Sequence, residues 1–350
     1  MSQVFLSAFN TLLKILVTAF RLRLMRLFLL LCLLLPAFAD AQFLSEEVLI
    51  GRLKAGNIPE EVMSKRTLVL HSGTISSKEI TSIHEGLIRA GIDAVAYFPV
   101  DQVLAGGDSE KAYNKYLNRR EISCIVFIQK KQSGFSAHIT LYNGKTDFVD
   151  AGQIGWSTSA PSLSQVTNEI YRSALSSYQK KNLLINEVPE TDLPVRVIEG
   201  TRSETFAYDL KVDNLAVPKF SDTVATRELA ELFKSYPLRY ELTNNTIADK
   251  DLRSKGFLYV LCVVHARSGI AKELLGYSVT KSESAFVSVT YPATEMQLKN
   301  IPADTEVYKF YVRHIDSGNV YLGTKWDADT SWQQALQNFI KGLKAEMKLN

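Results

Sequence analysis

Two stretches of the chain, Ile139-Thr-Leu-Tyr-Asn-Gly144 and Val312-Arg-His-Ile-Asp-Ser-Gly318, decide the fold. Each has the composition of a β-strand, reaches a glycine-centred turn, and is followed by a tryptophan and a helix. In both helices the apolar residues step by three, four and four positions, which places them along one side. These residues are Leu163, Val166, Ile170 and Ala174 in the first helix, and Trp332, Ala335, Phe339 and Leu343 in the second. Each stretch is therefore predicted to form a hairpin with a packing helix.

The residues ahead of each stretch also follow one order. A short apolar strand, a helix, a second strand and a short helix lead to the central strands Ile122–Ile128 and Phe257–Val264. The repeated order predicts an α/β (α+β) protein made by internal duplication, with two similar domains. Each domain is expected to be a mixed sheet packed with helices.

The domain boundaries follow from this match. We expect a first α/β domain over residues 42–182 and a second over residues 209–350, joined by an exposed connector at residues 183–208 that is rich in acidic residues and contains prolines. The second copy carries an extra segment with a strand-like run at Ala285–Thr290.

The start of the chain has the three parts of a secretory signal. Arg26 supplies the positive charge, Leu27–Leu35 is an apolar run too short to span a bilayer, and Ala39-Asp40-Ala41 is a small-x-small cleavage site. Residues 1–41 are therefore predicted to be a signal peptide, removed before Gln42. The protein is expected to be exported, to the periplasm or the extracellular space.

The residues ahead of Arg26 leave two questions open. Translation can start at Met1 or at Met25, and a membrane-retained segment is an alternative to a cleaved signal. Residues 1–41 hold four of the 40 basic residues and one of the 37 acidic residues, so the rest of the chain has 36 of each. This balance argues against nucleic acid as a partner. We expect no membrane span after the signal.

The sequence contains no recognisable catalytic motif. It lacks paired histidines at metal spacing and a Gly-x-Ser-x-Gly elbow, and we predict no catalytic, cofactor-binding or metal-ligating residues. His71-Ser72-Gly73 follows a predicted strand and precedes a helix, where α/β folds often bind ligands. A helix-capping turn is the preferred interpretation of this loop, and Gly106-Gly107-Asp108 is interpreted as a turn before a helix. Whether the protein is an enzyme stays uncertain, with a non-enzyme favoured.

Trp156, Trp326 and Trp332 lie where each hairpin meets its helix. They are candidates for an interaction surface, because tryptophan often anchors interfaces. Packing between sheet and helix is the favoured alternative. Cys124 and Cys262 each lie in an apolar strand, and a disulfide between them stays open.

The order of elements resembles that of a group of bacterial envelope domains. The group includes the N-terminal domain of the Tol-system translocation protein, the periplasmic domain of the curli-secretion lipoprotein and lipoprotein activators of peptidoglycan synthases. The resemblance rests on Leu68–Leu70, Ala94–Phe98, the central strands, and the Gly144…Trp156 and Gly318…Trp326 endings. It spans residues 65–178 and 212–347, and this chain lacks the lipidated cysteine that many of those proteins carry.

The resemblance implies a non-catalytic module that docks onto other envelope proteins. The favoured function is an exported, non-enzymatic envelope protein that binds another protein or a surface polymer. Two alternatives are a hydrolase acting on an envelope component, with its site near His71 or between the domains, and a small-ligand receptor that uses the interdomain cleft.

Overall fold

The computed structural model of the protein describes residues 43–175, 182, 184–191, 193–280, 282–293 and 295–349. The predicted signal peptide, residues 1–41, lies outside the described residues. The chain from Ala41 to Asn350 forms one compact unit. Among the described residues, no helix has both the length and the apolar character that crossing a bilayer would need.

The first half of the chain builds a six-stranded mixed sheet. Its strands are β1 (Lys54–Ala55), β2 (Arg66–His71), β3 (Asp93–Pro99), β4 (Ile122–Lys131), β5 (Gly134–Leu141) and β6 (Ile154–Ala160). They lie in the order β1-β6-β5-β4-β2-β3. β4, β2 and β3 are parallel, β5 is antiparallel to both β4 and β6, and β1 pairs parallel to β6. Apart from its first residue β2 is buried throughout, as a strand covered on both faces must be.

The second half builds a sheet of the same kind. Its strands are β7 (Arg202–Ser203), β8 (Leu215–Pro218), β9 (Tyr240–Thr243), β10 (Tyr259–Arg267), β13 (Glu306–His314) and β14 (Val320–Tyr321), while β11 (Ala285–Thr290) and β12 (Gln297–Pro302) form a separate hairpin. The order is β7-β14-β13-β10-β8-β9. β10, β8 and β9 are parallel, β13 and β14 are antiparallel, and β7 pairs parallel to β14.

The two sheets thus have the same strand order and the same strand directions, position by position. The predicted α/β fold with two similar units is confirmed. Gly144 and Gly318 occupy the same turn of the two units, and both have positive φ (74° and 67°), which glycine adopts without a Cβ clash. The hairpin β11–β12 is an insertion in the second unit, and it contains the predicted strand Ala285–Thr290.

Helices cover both faces of the sheets. They are α1 (Glu46–Gly51), α2 (Ser77–Ala90), α3 (Val100–Val103), α4 (Gly107–Arg119), α5 (Leu163–Leu175), α6 (Thr223–Phe233), α7 (Asp249–Ser254), α8 (Ser268–Leu274) and α9 (Trp332–Met347). Ser76 and Glu79 form a capping box at the start of α2, and Gly91 ends the helix in the left-handed conformation.

The apolar residues form two outer layers and one shared middle layer. α2 and α5 pack on the outer face of the first sheet, and α6 and α9 pack on the outer face of the second. The middle layer joins Phe127 of β4, Tyr113 of α4 and Val264 of β10 in one cluster of buried residues. The two units therefore share a core through α3 and α4.

The segment predicted to be an exposed connector, residues 183–208, is in part bound to both units. Tyr97 of β3 donates its amide to the carbonyl of Glu190 (3.0 Å), and the Glu190 carboxylate lies 2.9 Å from Nη2 of Arg120. Further on, β7 becomes the edge strand of the second sheet. An edge strand has unpaired main-chain donors and acceptors. The main chain of this segment binds such groups on β3 of the first sheet and on β14 of the second.

Candidate functional site

The three tryptophans proposed as an interaction surface lie in separate places. Trp326 and Trp332 are buried, and Trp156 on β6 is half-buried. The Trp332 ring packs edge-on against Phe220 (4.9 Å between centroids), and Trp326 packs in the same way against Tyr277 (5.3 Å). Trp326 and Trp332 are therefore part of the core, as the alternative interpretation of these residues expected.

The loop around His71 is closed by the second unit. The imidazole is buried, its Nδ1 lies 3.1 Å from the carbonyl oxygen of Ser72, and burial lowers its pKa. Arg267 of β10 donates to the carbonyl of Gly73 (3.1 Å) and is paired with Asp101 (2.7 Å). Through these bonds the His71–Gly73 loop connects the two units. The imidazole of His71 stays buried inside the protein.

A cavity of about 670 Å³ lies at the equivalent loop of the second unit. Residues 218–221 after β8 and residues 244–247 after β9 line it. β8 has β9 on one side and β10 on the other, which makes its carboxyl end a switch point of the kind where open α/β sheets bind ligands. The first unit contributes α1 and the start of α4 to the wall. This cavity is called the interdomain cleft below.

The sequence pattern drew attention to the loop His71–Gly73 of the first unit, whereas the cavity lies at the corresponding loop of the second unit. The loop Pro218–Asp222 follows a parallel strand and precedes a helix, as His71–Gly73 does, but it carries no histidine and was not identified as a site. The position of the loop in the duplicated order was the signal that could have found it.

The main chain at the start of α4 is in direct contact with the main chain of the second sheet. The amide of His265 donates to the carbonyl of Ala105 (2.8 Å). Gly106 has a φ of 131°, and a Cβ at this position would lie 2.3 Å from the carbonyl oxygen of Val263. Gly106 lies in the predicted turn before α4, whereas Gly107 and Asp108, which were also expected there, are the first two residues of the helix. Gly106 also permits the close approach of the two units.

A charged network crosses one wall of the cleft. Arg313 of β13 lies 3.1 Å from Asp108 of α4 and 3.0 Å from Asp249 of α7. Tyr311 donates its hydroxyl to Asp108 (2.7 Å), and Lys111 lies 3.4 Å from Asp249. Each charge in this network has an opposite partner, as charges removed from water require. The network connects the first unit to two elements of the second.

Glu110 is half-buried and also lines the cleft. Burial, with a smaller contribution from the neighbouring Asp108 charge, raises the pKa of the Glu110 carboxyl to about 7. The cleft therefore contains one carboxyl group that can gain a proton near neutral pH.

Glu46, in the first turn of α1, is only 7% exposed. Burial raises the pKa of its carboxyl to about 7, while a hydrogen bond with Gln129 opposes the shift. The neutral carboxyl is favoured because a buried carboxylate loses its hydration.

Glu46→Gln is expected to leave stability nearly unchanged at pH 4 and to raise it at pH 8 by about 2–3 kcal/mol. The folded chain keeps the Glu46 proton up to a pKa of about 7, whereas the ordinary value is 4.5. The stability that this group contributes is thus present below pH 4.5 and is lost as the pH rises through 7. Urea unfolding at the two pH values measures the difference, with the exposed Glu47→Gln as control. An equal gain at both pH values would contradict the assignment.

The two cysteines of the described chain, Cys124 and Cys262, are both free thiols. Burial raises the pKa of the Cys124 thiol to about 12 and raises that of Cys262 as well. Thiols that stay protonated are poor nucleophiles. Within the described ranges, no group of three or more His, Cys, Asp or Glu side chains is placed to hold a metal ion.

The inserted hairpin presents a second candidate surface. Val287, Met296 and Leu298 are 59%, 55% and 70% exposed on or beside β11 and β12. These three side chains are called the outer hairpin face below. The opposite face of the hairpin is buried through Phe286 and Ile301. Three exposed apolar side chains on one hairpin are typical of a contact surface rather than of a face that meets only water.

The sequence matches no protein-family model, and no curated protein is significantly similar to it.

Proposed function

We propose that the protein is an exported, non-enzymatic component of a cell envelope that docks onto another envelope protein through the outer hairpin face. The observation that carries this proposal is the exposure of Val287, Met296 and Leu298 on a hairpin that is firmly attached to the core. Exposed apolar residues grouped on one element favour a binding surface.

The hairpin is anchored by buried polar contacts. Ser288 donates its hydroxyl to the carbonyl of Ala328 (2.6 Å), and Asn338 of α9 accepts from the amide of Tyr291 (2.8 Å). These bonds fix the hairpin before any partner arrives, which lowers the entropy cost of binding.

The free edge of the hairpin favours an extended partner. Among the described residues β12 pairs only with β11, so alternate residues along its outer edge offer main-chain donors and acceptors. An extended segment can add to such an edge as a further strand, with its apolar side chains against Met296 and Leu298.

The charges around the hairpin are of both signs. Lys341 of α9 donates to the carbonyls of Tyr291 and Ala293, and Lys325 is exposed beside a small cavity that Met296, Asp327 and Glu346 also line. Apolar contact and main-chain pairing, rather than net charge, therefore support the docking of a partner strand.

A photo-crosslinking residue placed at Leu298 is expected to capture one recurrent envelope protein in intact cells. The same residue at Leu184, which is 88% exposed in the first half of the chain, is the control and is expected to capture none. Leu298→Lys should then weaken binding of the purified partner at least tenfold, or about 1.4 kcal/mol.

The docking proposal is wrong if position 298 captures nothing that position 184 does not. It is also wrong if the partner binds Leu298→Lys and the unchanged protein equally well. Circular dichroism of the variant establishes that it folds, and Leu298 is exposed enough for the lysine to be tolerated.

A further inference from the structure

Most of the charges that line the interdomain cleft are paired. Four basic and four acidic side chains contribute to the wall. Six of these eight are paired with each other, either in the network around Arg313 or between Arg52 and Asp147, whose charged groups lie 3.5 Å apart. With these pairs formed and the Glu110 carboxyl able to take up a proton near neutral pH, the cleft keeps little net charge to attract a polyphosphate or a metal ion.

Except for Thr146 of the first unit, the uncharged polar side chains of the cleft lie on the two loops after β8 and β9. Asn244 accepts through Oδ1 from the amide and the hydroxyl of Thr246 (both 3.1 Å), and Asn245 donates through Nδ2 to the hydroxyl of Ser221 (3.2 Å). These bonds hold the loops in place. Within the described part of the chain, Nδ2 of Asn244 and Oδ1 of Asn245 have no partner. Both side chains are exposed to solvent, and they offer one donor and one acceptor that a hydroxyl group, itself both donor and acceptor, can use.

Two aromatic side chains line the same cleft as these amides. The rings of Phe43 and Phe220 both line the cleft and meet edge to face, 5.6 Å between centroids. The cavity volume of about 670 Å³ lies within the range of ordinary small-molecule sites. Such a site combines a flat apolar surface with a few polar groups that set orientation.

We propose that the interdomain cleft binds a neutral, hydroxyl-rich ligand, namely a short oligosaccharide. The ring hydroxyls exchange hydrogen bonds with Asn244 and Asn245, and the C–H face of a sugar ring packs on Phe220. The paired charges at the rim provide further donors and acceptors without selecting a charged ligand. This site is separate from the outer hairpin face, so its test does not depend on the docking proposal.

Isothermal titration calorimetry of the purified protein with glucose, maltose, cellobiose and N,N′-diacetylchitobiose tests the proposal. AMP and inorganic phosphate serve as charged comparators. At least one of the neutral sugars is expected to bind with a Kd below about 1 mM. Asn245→Ala and Phe220→Ala should each weaken that binding at least tenfold. Asn300→Ala, on the exposed side of the hairpin, should leave it unchanged.

Amide chemical-shift mapping gives a readout that needs no variant. The sugar should perturb the amides of residues 219–221 and 244–246 before any others. The proposal is overturned if none of the sugars binds at 10 mM, if phosphate or AMP binds more tightly, or if the perturbed amides lie elsewhere. Unchanged affinity in a folded Asn245→Ala protein would also overturn it.

Discussion

Replacing Lys309 with methionine is expected to lower the free energy of unfolding by about 3–5 kcal/mol. The Lys309 side chain is fully buried on β13, where its Nζ lies 2.6 Å from Oδ1 of Asp327 and donates to the carbonyl of Leu322 (2.8 Å). Methionine keeps the length of the side chain and removes the charge, so Asp327 stays buried without a counter-charge. Urea unfolding at pH 7 measures the loss.

A second variant separates the charge from the packing. Lys309→Met combined with Asp327→Val should regain most of the lost stability, because an apolar pair can replace a buried ion pair at little cost. Lys255→Met, at an exposed lysine, is the control and should change stability by less than about 0.5 kcal/mol. If Lys309→Met behaves like Lys255→Met, the buried pair contributes nothing to stability.

Gly106→Ala is expected to destabilise the protein by about 3 kcal/mol or more, whereas Gly107→Ala should be nearly neutral. At Gly106 the new Cβ would meet the carbonyl oxygen of Val263 at 2.3 Å, and the φ of 131° is unfavourable for alanine. At Gly107, in the first turn of α4, a Cβ would meet no atom within 4 Å. The two variants introduce the same methyl group at adjacent positions. A difference in their stability therefore reports the contact at Gly106.

The effect of Gly106→Ala should also be local to the contact between the units. Hydrogen exchange of the His265 amide, which is bonded to Ala105, should accelerate in Gly106→Ala and stay slow in Gly107→Ala. Equal exchange and equal stability in the two variants would show that the close approach at Gly106 is not needed.

Local patterns were enough to predict the elements and their duplication. The three-four-four spacing from Leu163 and from Trp332 predicted α5 and α9, because helical periodicity is set by residues only a few positions apart. The glycines at 144 and 318 marked the same turn for a similar reason, since a positive φ is a local requirement. Both signals depend on neighbours along the chain, so a sequence contains them in full.

The candidate sites were less accessible to sequence reasoning. The exposure of Leu298 depends on which face of an inserted hairpin packs on the core, and alternation alone does not say which face that is. The cleft combines α1 and α4 of one unit with loops of the other, which are far apart in sequence. The tryptophans were plausible surface anchors by residue type, and only packing showed that Trp326 and Trp332 are buried.

The sequence by itself determined the order of the main strands and helices and their duplication, because these follow from periodicities of two and 3.6 residues and from turn-forming residues. It did not indicate the short elements β1, β7, α3 and α8. The tertiary structure alone decided that the two units share α3 and α4 as one middle layer, that Gly106 lies against Val263, and that Lys309 is buried opposite Asp327. Those features are pairings between distant parts of the chain. The free energies of these contacts depend on the distances and orientations of groups that are far apart in the sequence. A local sequence pattern contains no information on those distances.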